Sequence, residues 1–527
     1  MMEQLQRLYK LVTLPLRKHF NFFLTLFVLH ALVDLVYFYI YWRYSLTVCL
    51  HGLFMAYVLT AIATIFDRLK GLSRIYRGVV LGAYMLSFWG DILSHSILDS
   101  SLDEDVAATI LATNKDEFIE CVQTYFSVWP LLIGIVALLI LYKLYTFLKR
   151  VQVTYAGIWL LGIALGGVVT CTNNPLHYGG VLGKAIIFHR AQSPVHIGTT
   201  QHVPELLVRQ HLQPKNVVMI IGESLNKLHC STYGYDKPTT PRLQSLVDQS
   251  SLLVFTNAVS PEVHTLPVFK TLFSKYRCEW GDSIRWYEQP TLQEILHQSG
   301  YTTYWISNQS KHGVCDNFIG NYAELCTENY FVGNKLAGMK RKTYDGEVLE
   351  LLAPLTTASS SPSFYVVHLM GSHFKFSKRY PAEFKKFTSD DYPSLPSHQR
   401  EVVATYDNSV LYNDWVVSEI IRQFEDKEAI VFYFSDHAID LFQSSPDYYG
   451  HAKKTKESFP FGQLIPLYIY MSPRYQARFP EIVRILHAQV ATPFCTDNMF
   501  YTIMDLIGTK FKDSDEVANY SLAAEPK

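Results

Sequence analysis

Three residues with metal-ligand side chains stand at the ends of two apolar runs. Val217 to Ile221 leads into Gly222-Glu223-Ser224, and Ala429 to Phe434 leads into Ser435-Asp436-His437. Short unbroken apolar runs read as strands buried on both faces, a feature of parallel sheets. In open α/β sheets, ligands gather beyond the carboxyl ends of the strands. Glu223, Asp436 and His437 therefore offer two oxygens and a nitrogen to one site. That donor set suits a catalytic zinc with its fourth position open, and it also accepts manganese. A hydroxyl beside such an ion has a lowered pKa and becomes a nucleophile. Thr265, in Ser260-Pro261-Glu262-Val263-His264-Thr265-Leu266-Pro267, is the candidate. It opens a helix, where free N–H groups and the dipole favour an oxyanion. The same spacing also fits an ordinary capping threonine, and Ser-Asp-His after a strand also fits a structural turn.

Further runs supply the elements that must position these groups. Strands are expected at Leu252–Asn257, Tyr301–Asn308, Phe364–Met370 and Leu467–Met471, and helices at His264–Phe273, Pro290–Gly300 and Thr405–Glu425. This alternation predicts a doubly wound α/β sheet with helices on both faces. The strand at 364–370 ends in Gly371-Ser372-His373.

The chain has 527 residues, 49% hydrophobic and 14% aromatic, with a formal net charge of -1. That length exceeds one domain, and the balanced charge leaves no electrostatic footprint for nucleic acid. Five segments of the N-terminal third are long and apolar enough to span a bilayer, at about 20–41, 46–66, 78–98, 128–148 and 155–172. The fifth is short and Gly-rich. Arg7, Lys10, Arg17 and Lys18 precede the first span, Arg68, Lys70, Arg74 and Arg77 follow the second, and Lys143, Lys149 and Arg150 lie about the junction of the fourth and fifth. These basic stretches fall on one side, which is then cytoplasmic. The acidic loop between spans three and four, with everything after about residue 173, falls outside. The expected organisation is a membrane domain over 1–173, a linker with interfacial helices over 174–214, and an outer domain over 215–527. Asp91 lies inside the third span, and both a head-group contact and an acid facing the bundle fit it.

In the acidic loop, a helix is expected over 107–125. Its Thr109, Thr113 and Glu117 recur every fourth residue and share a face. A phospholipid ammonium and plain solvent both fit that face. An outside location permits disulfides, and Cys315 with Cys326 is the first expected pair, two cysteines close together in a loop rich in Gly and Asn.

Ile221-Gly222-Glu223-Ser224, Ser231-Thr232-Tyr233-Gly234-Tyr235 and Thr239-Thr240-Pro241-Arg242-Leu243 resemble the opening block of the lipopolysaccharide phosphoethanolamine transferases, inner-membrane enzymes of the sulfatase and alkaline phosphatase superfamily. The resemblance continues, in order, through His368-Leu369-Met370-Gly371-Ser372-His373, Lys378-Arg379-Tyr380-Pro381, Tyr406-Asp407-Asn408 and Phe434-Ser435-Asp436-His437. It implies a multi-pass membrane domain joined to a sulfatase-like periplasmic domain. It also implies zinc on Glu223, Thr265, Asp436 and His437, with Thr265 as nucleophile and His373 and His451 facing the phosphate. Lys311 matches a basic loop residue of the family, and Thr109, Thr113 and Glu117 match its head-group contact. One departure is Ala438-Ile439 after His437, where the family continues with Gly and an acid.

The implied activity is transfer of phosphoethanolamine from phosphatidylethanolamine to a lipopolysaccharide sugar, lipid A or another envelope glycan, by a monomer in the bacterial inner membrane. Rivals are a glycerol-phosphate transferase or hydrolase of the same fold, and a degenerate membrane protein without activity. A sulfatase would carry Cys or Ser in a Cys/Ser-x-Pro-x-Arg setting, and no such run follows the first strand.

Overall fold

The five apolar blocks fold as helices α1 (Met2–Phe38), α2 (Ser45–Phe66), α3 (Leu72–Leu98), α4 (Val128–Leu148) and α5 (Ala156–Thr172). They belong to a computed structural model of the chain, which describes residues 2–38, 45–69, 71–98, 128–148, 156–172, 197, 205–309, 318–332, 343–358, 361–451, 456–512, 514 and 516–525. The chain divides into two compact units, one holding these helices and the other holding the residues from Pro194 onward.

In the first unit, α1 breaks at His19 (φ −132°, ψ 38°), immediately before the expected start of the first span. Lys18 Nζ and His19 Nε2 meet Asp67 Oδ2 at 3.3 and 3.0 Å, which ties the break to the end of α2. Leu16, Phe22, Phe23, Leu26 and Leu29 form its buried core. The glycines of α5 have a packing role: a Cβ on Gly166 would lie 1.9 Å from the carbonyl oxygen of Leu50, so only glycine allows α5 this close to α2. Among the described residues, Cys49–Phe66 is the one stretch long and apolar enough to cross a membrane, with a mean hydropathy of 1.9. Gly134–Phe147 and Ala156–Cys171 are shorter apolar stretches. Asp91 lies in α3, but its side chain is outside the described residues.

The second unit is built on a seven-stranded sheet. Its strands are β1 (Asn216–Gly222), β2 (Leu252–Val254), β3 (Thr302–Ser307), β4 (Glu328–Phe331), β5 (Ser363–His368), β6 (Ala429–Ser435) and β7 (Leu467–Met471), in the order β2-β7-β6-β1-β5-β3-β4. β1 is central and parallel to both β5 and β6, and Val217 to Ile221 are 0% exposed, as a run without polar alternation requires. The register sets Gly222 beside Ser435 and Ile221 beside His368, so β1, β6 and β5 end level with one another. Helices α6 (Pro241–Asp248), α7 (Thr265–Phe273), α8 (Leu292–Gln298), α9 (Val348–Ala358) and α10 (Ser397–Arg422) belong to the same unit.

The sheet is not parallel throughout. β7 runs antiparallel to β6, and β2 antiparallel to β7, so one edge departs from simple doubly wound topology. An apolar run such as Leu467–Met471 carries no direction, only burial. β4 was not expected, because Glu328-Asn329-Tyr330-Phe331 is short and half polar. α10 begins at Ser397, behind Pro396, eight residues before the expected start. Its first turns are polar and carry no apolar periodicity to mark them. The described end of the expected linker, Leu206–Val208, is a strand paired antiparallel with Thr509–Phe511.

Candidate metal centre

Glu223 is the first residue beyond β1, and Asp436 and His437 are the first two beyond β6. The level strand ends bring their side chains together: one ligand atom from each lies within 4.8 Å of the others, and all three residues are buried. His437 Nε2 stands 3.0 Å from Glu223 Oε1 and 3.6 Å from Asp436 Oδ2. Thr265, the first residue of α7, reaches the same place from another part of the chain. Its Oγ1 donates to Glu223 Oε2 at 3.1 Å and lies 3.5 Å from His437 Nε2. At its position the helix N-terminus contributes unpaired N–H groups and positive potential.

These groups fit a zinc ion on their own chemistry. Asp436 Oδ2 is fully buried and makes no hydrogen bond, a costly arrangement unless something cationic takes its lone pairs. Asp436 Oδ1 is occupied, accepting from the backbone N–H of His437 at 2.7 Å. The His437 Nδ1 side points to the carbonyl of Ala438 at 2.9 Å, which orients the ring with Nε2 toward the cluster, the usual second-shell arrangement of a metal-binding histidine.

The electrostatics describe a site loaded with charge and protons. Burial and then the Glu223 charge push Asp436 up to about 8. Burial alone would lower His437, but the Asp436 and Glu223 carboxylates outweigh it and hold the ring at about 9. Glu223 is held well below the ordinary carboxylate range: burial opposes this, and His437, His373 and His451 together overcome it. His451 is driven well down by burial and by the neighbouring His437 and His373. Its ring centroid is 4.7 Å from that of His437 and 5.9 Å from that of His373, so three histidines line one side of the cluster.

Sequence reasoning missed the groups that brace the ligands. Ser224 takes a left-handed conformation (φ 58°), and its Oγ donates to Glu223 Oε1 at 2.9 Å. Gln309 Nε2 meets Glu223 Oε2 at 3.3 Å and the Leu369 carbonyl at 3.0 Å. Tyr406 in α10 donates to the Ser224 carbonyl at 3.0 Å and accepts from the Asn226 N–H at 2.8 Å. Gln309 follows β3 closely, so the strand-end rule that found Glu223 would have found it. Tyr406 stands in the Tyr406-Asp407-Asn408 run of the family resemblance, but that run does not announce its bond to the Ser224 carbonyl. Ala438 causes no distortion: the non-glycine residues of positive φ among those described are Ser224, Ser250, Lys375 and Phe442, and Ala438 N–H simply donates to the Gly462 carbonyl at 2.7 Å.

Thr109, Thr113, Glu117 and Lys311 lie outside the described residues, as do Cys315 and the expected helix over 107–125. The expected disulfide is corrected. Cys326 is a free, buried thiol whose Sγ faces the Tyr322 carbonyl at 3.7 Å. Closeness in sequence does not set the Cβ directions a bridge needs.

An α/β sheet that gathers two acids and a histidine on level strand ends, facing a hydroxyl at a helix N-terminus, could hold a metal ion and is the frame of a sulfatase-like domain. The chain belongs to the sulfatase family, whose model matches residues 215–509. Phosphoethanolamine transferase EptC of Escherichia coli O18:K1:H7 is 28% identical over 311 residues, 58% of this chain and 52% of the relative, so the match spans about half the relative's length. The C-terminal periplasmic domain of Escherichia coli EptC, solved in complex with Zn, aligns with a TM-score of 0.54 and 25% identity over 62% of this chain and 90% of that one. The integral membrane protein lipooligosaccharide phosphoethanolamine transferase A of Neisseria meningitidis aligns with a TM-score of 0.62 over 97% of this chain and 99% of that one, at 18% identity, and so shares the fold.

Proposed function

We propose that the chain is a membrane-anchored phosphoethanolamine transferase. It moves phosphoethanolamine from phosphatidylethanolamine to a lipopolysaccharide or other envelope-glycan hydroxyl, with the 215–527 domain in the periplasm and a five-span anchor over 1–173. The observation that carries this reading is the convergence of Thr265 Oγ1 with Glu223 and His437 at a helix N-terminus. Support also comes from relatives named as transferases of this group, one of them solved with zinc.

Glu223, Asp436 and His437 would hold the zinc, with Thr265 Oγ1 completing the set. Bound there, the ion supplies a Lewis acid that lowers the pKa of the threonine hydroxyl. In the first step Thr265 Oγ1 attacks the phosphorus of phosphatidylethanolamine. The Oγ–P bond forms as the bond to the diacylglycerol oxygen breaks, and that oxygen takes up a proton. In the second step an acceptor hydroxyl attacks the same phosphorus, releases Thr265 and gives up its proton. His373 and His451 flank the site and serve as donors to the phosphoryl oxygens and as proton carriers. Thr109, Thr113, Glu117 and Lys311 are proposed to meet the head group.

The test is mass spectrometry of lipopolysaccharide and envelope glycans from cells with and without the protein. A phosphoethanolamine-bearing species present only with the protein is expected. Identical profiles in the two strains, with the protein expressed and zinc-loaded, would refute the reading.

A further inference from the structure

We propose that Asp345 is a positioning residue: it holds the turn that carries His373 and the strand end that carries Gln309, without touching the metal ligands. The inference rests on the transferase reading above. Asp345 opens a short turn ahead of α9 and is 3% exposed. Both of its carboxylate oxygens are engaged. Oδ1 accepts from Asn308 Nδ2 and from the Met370 N–H, each at 2.8 Å, and Oδ2 accepts from the Gly371 N–H at 2.8 Å. These donors come from the ends of β3 and β5, adjacent parallel strands.

Each clamped end leads directly to the site. On the β5 side, Gly371 sits in the left-handed region (φ +53°), the Ser372 N–H donates to the Glu223 carbonyl at 2.9 Å, and the next residue is His373. On the β3 side, Gln309 follows Asn308 and meets Glu223 Oε2. The proposed metal ligands stand at the ends of β1 and β6, and the Asp345 carboxylate bonds none of them: its partners are Asn308, Met370 and Gly371. One carboxylate therefore acts directly on the strand ends that face substrate, and reaches Glu223 only at one remove, through Ser372 and Gln309.

The chemistry demands an acid at this position. An amide has one acceptor oxygen, and its NH₂ group would confront a backbone N–H. Asp345→Asn therefore leaves at least one buried donor unsatisfied and loosens the turn. A shift of His373 by about 1 Å is enough to lower activity by up to about 100-fold.

The experiment uses full-length wild-type protein, Asp345→Asn, His373→Ala and the double variant in lipid nanodiscs. It measures zinc per chain, kcat and KM for head-group transfer from phosphatidylethanolamine, and thermal stability. Asp345→Asn is expected to keep its zinc and lose about 10- to 100-fold in kcat, with a much smaller further loss when His373 is already alanine, because the two act as one unit. A wild-type kcat in Asp345→Asn overturns the inference, as does zinc loss in proportion to activity or a full Asp345→Asn penalty in the His373→Ala background. If Asp345→Asn fails to fold, Asn308→Ala removes one of the three donors instead. It should lower kcat with zinc retained, and an unchanged kcat there counts against the proposal. Wild-type protein that transfers nothing refutes the transferase reading; active wild type equalled by Asp345→Asn refutes the positioning role alone.

Discussion

Gly371→Ala measures how closely the site is built. Gly371 has φ +53°, and a Cβ added there would lie 2.6 Å from the Glu223 nitrogen and 2.7 Å from its carbonyl oxygen. Holding alanine in the left-handed region costs about 1–2 kcal/mol. Both clashing atoms are backbone, so no side chain can swing aside, and overpacking of this kind adds about 1–3 kcal/mol. The sum is about 2–5 kcal/mol. In a unit of this length each kcal/mol shifts Tm by about 2 °C, giving a fall of about 4–10 °C. The backbone that must move belongs to a metal ligand, so zinc affinity should fall with it. Differential scanning calorimetry and competition with a chelating dye read the two effects on one preparation. A Tm within about 1 °C of wild type, together with unchanged zinc affinity, would refute the reasoning.

Other predictions concern protons and buried hydrogen bonds. In the metal-free site burial and the Glu223 charge raise Asp436, and the neighbouring carboxylates raise His437, so the pair retains protons near neutrality that zinc must displace. Zinc affinity should therefore rise with pH across this range, and calorimetry in buffers of different ionisation enthalpy should count protons released at pH 7; none released would contradict the charge arrangement. Glu223, already ionised, contributes no proton. Tyr406→Phe should destabilise the second unit by about 1–3 kcal/mol, because the buried Asn226 N–H and Ser224 carbonyl lose their shared partner. Urea unfolding checks this, and an unchanged midpoint would show that water or another group replaces the hydroxyl.

The cluster of Glu223, Asp436 and His437 was legible because two physical signals coincided on these residues. Each follows an apolar run that only a buried strand satisfies, and each has a side chain that is costly to bury without a partner. Thr265 was legible only in part: its spacing fits a capping threonine as well as a nucleophile, and only the fold shows its hydroxyl 3.1 Å from Glu223. The direction of β7 was not legible, since burial dictates composition but not polarity of the strand. Ser224 gave no sign of its left-handed backbone, because serine accepts that strain only where neighbours impose it. What Asp345 and Tyr406 do was hidden for another reason, although Tyr406 lies in a run that resembles the family. Their roles are hydrogen bonds to backbone groups distant in sequence, and no local pattern encodes them.

The central claim is that Thr265 carries the transferred group. Purified zinc-loaded protein, incubated with phosphatidylethanolamine and no acceptor, should gain one phosphoethanolamine by intact mass, and fragmentation should map it to Thr265. Thr265→Ala should gain nothing. An adduct that persists in Thr265→Ala, or maps to another residue in the wild type, would contradict the account.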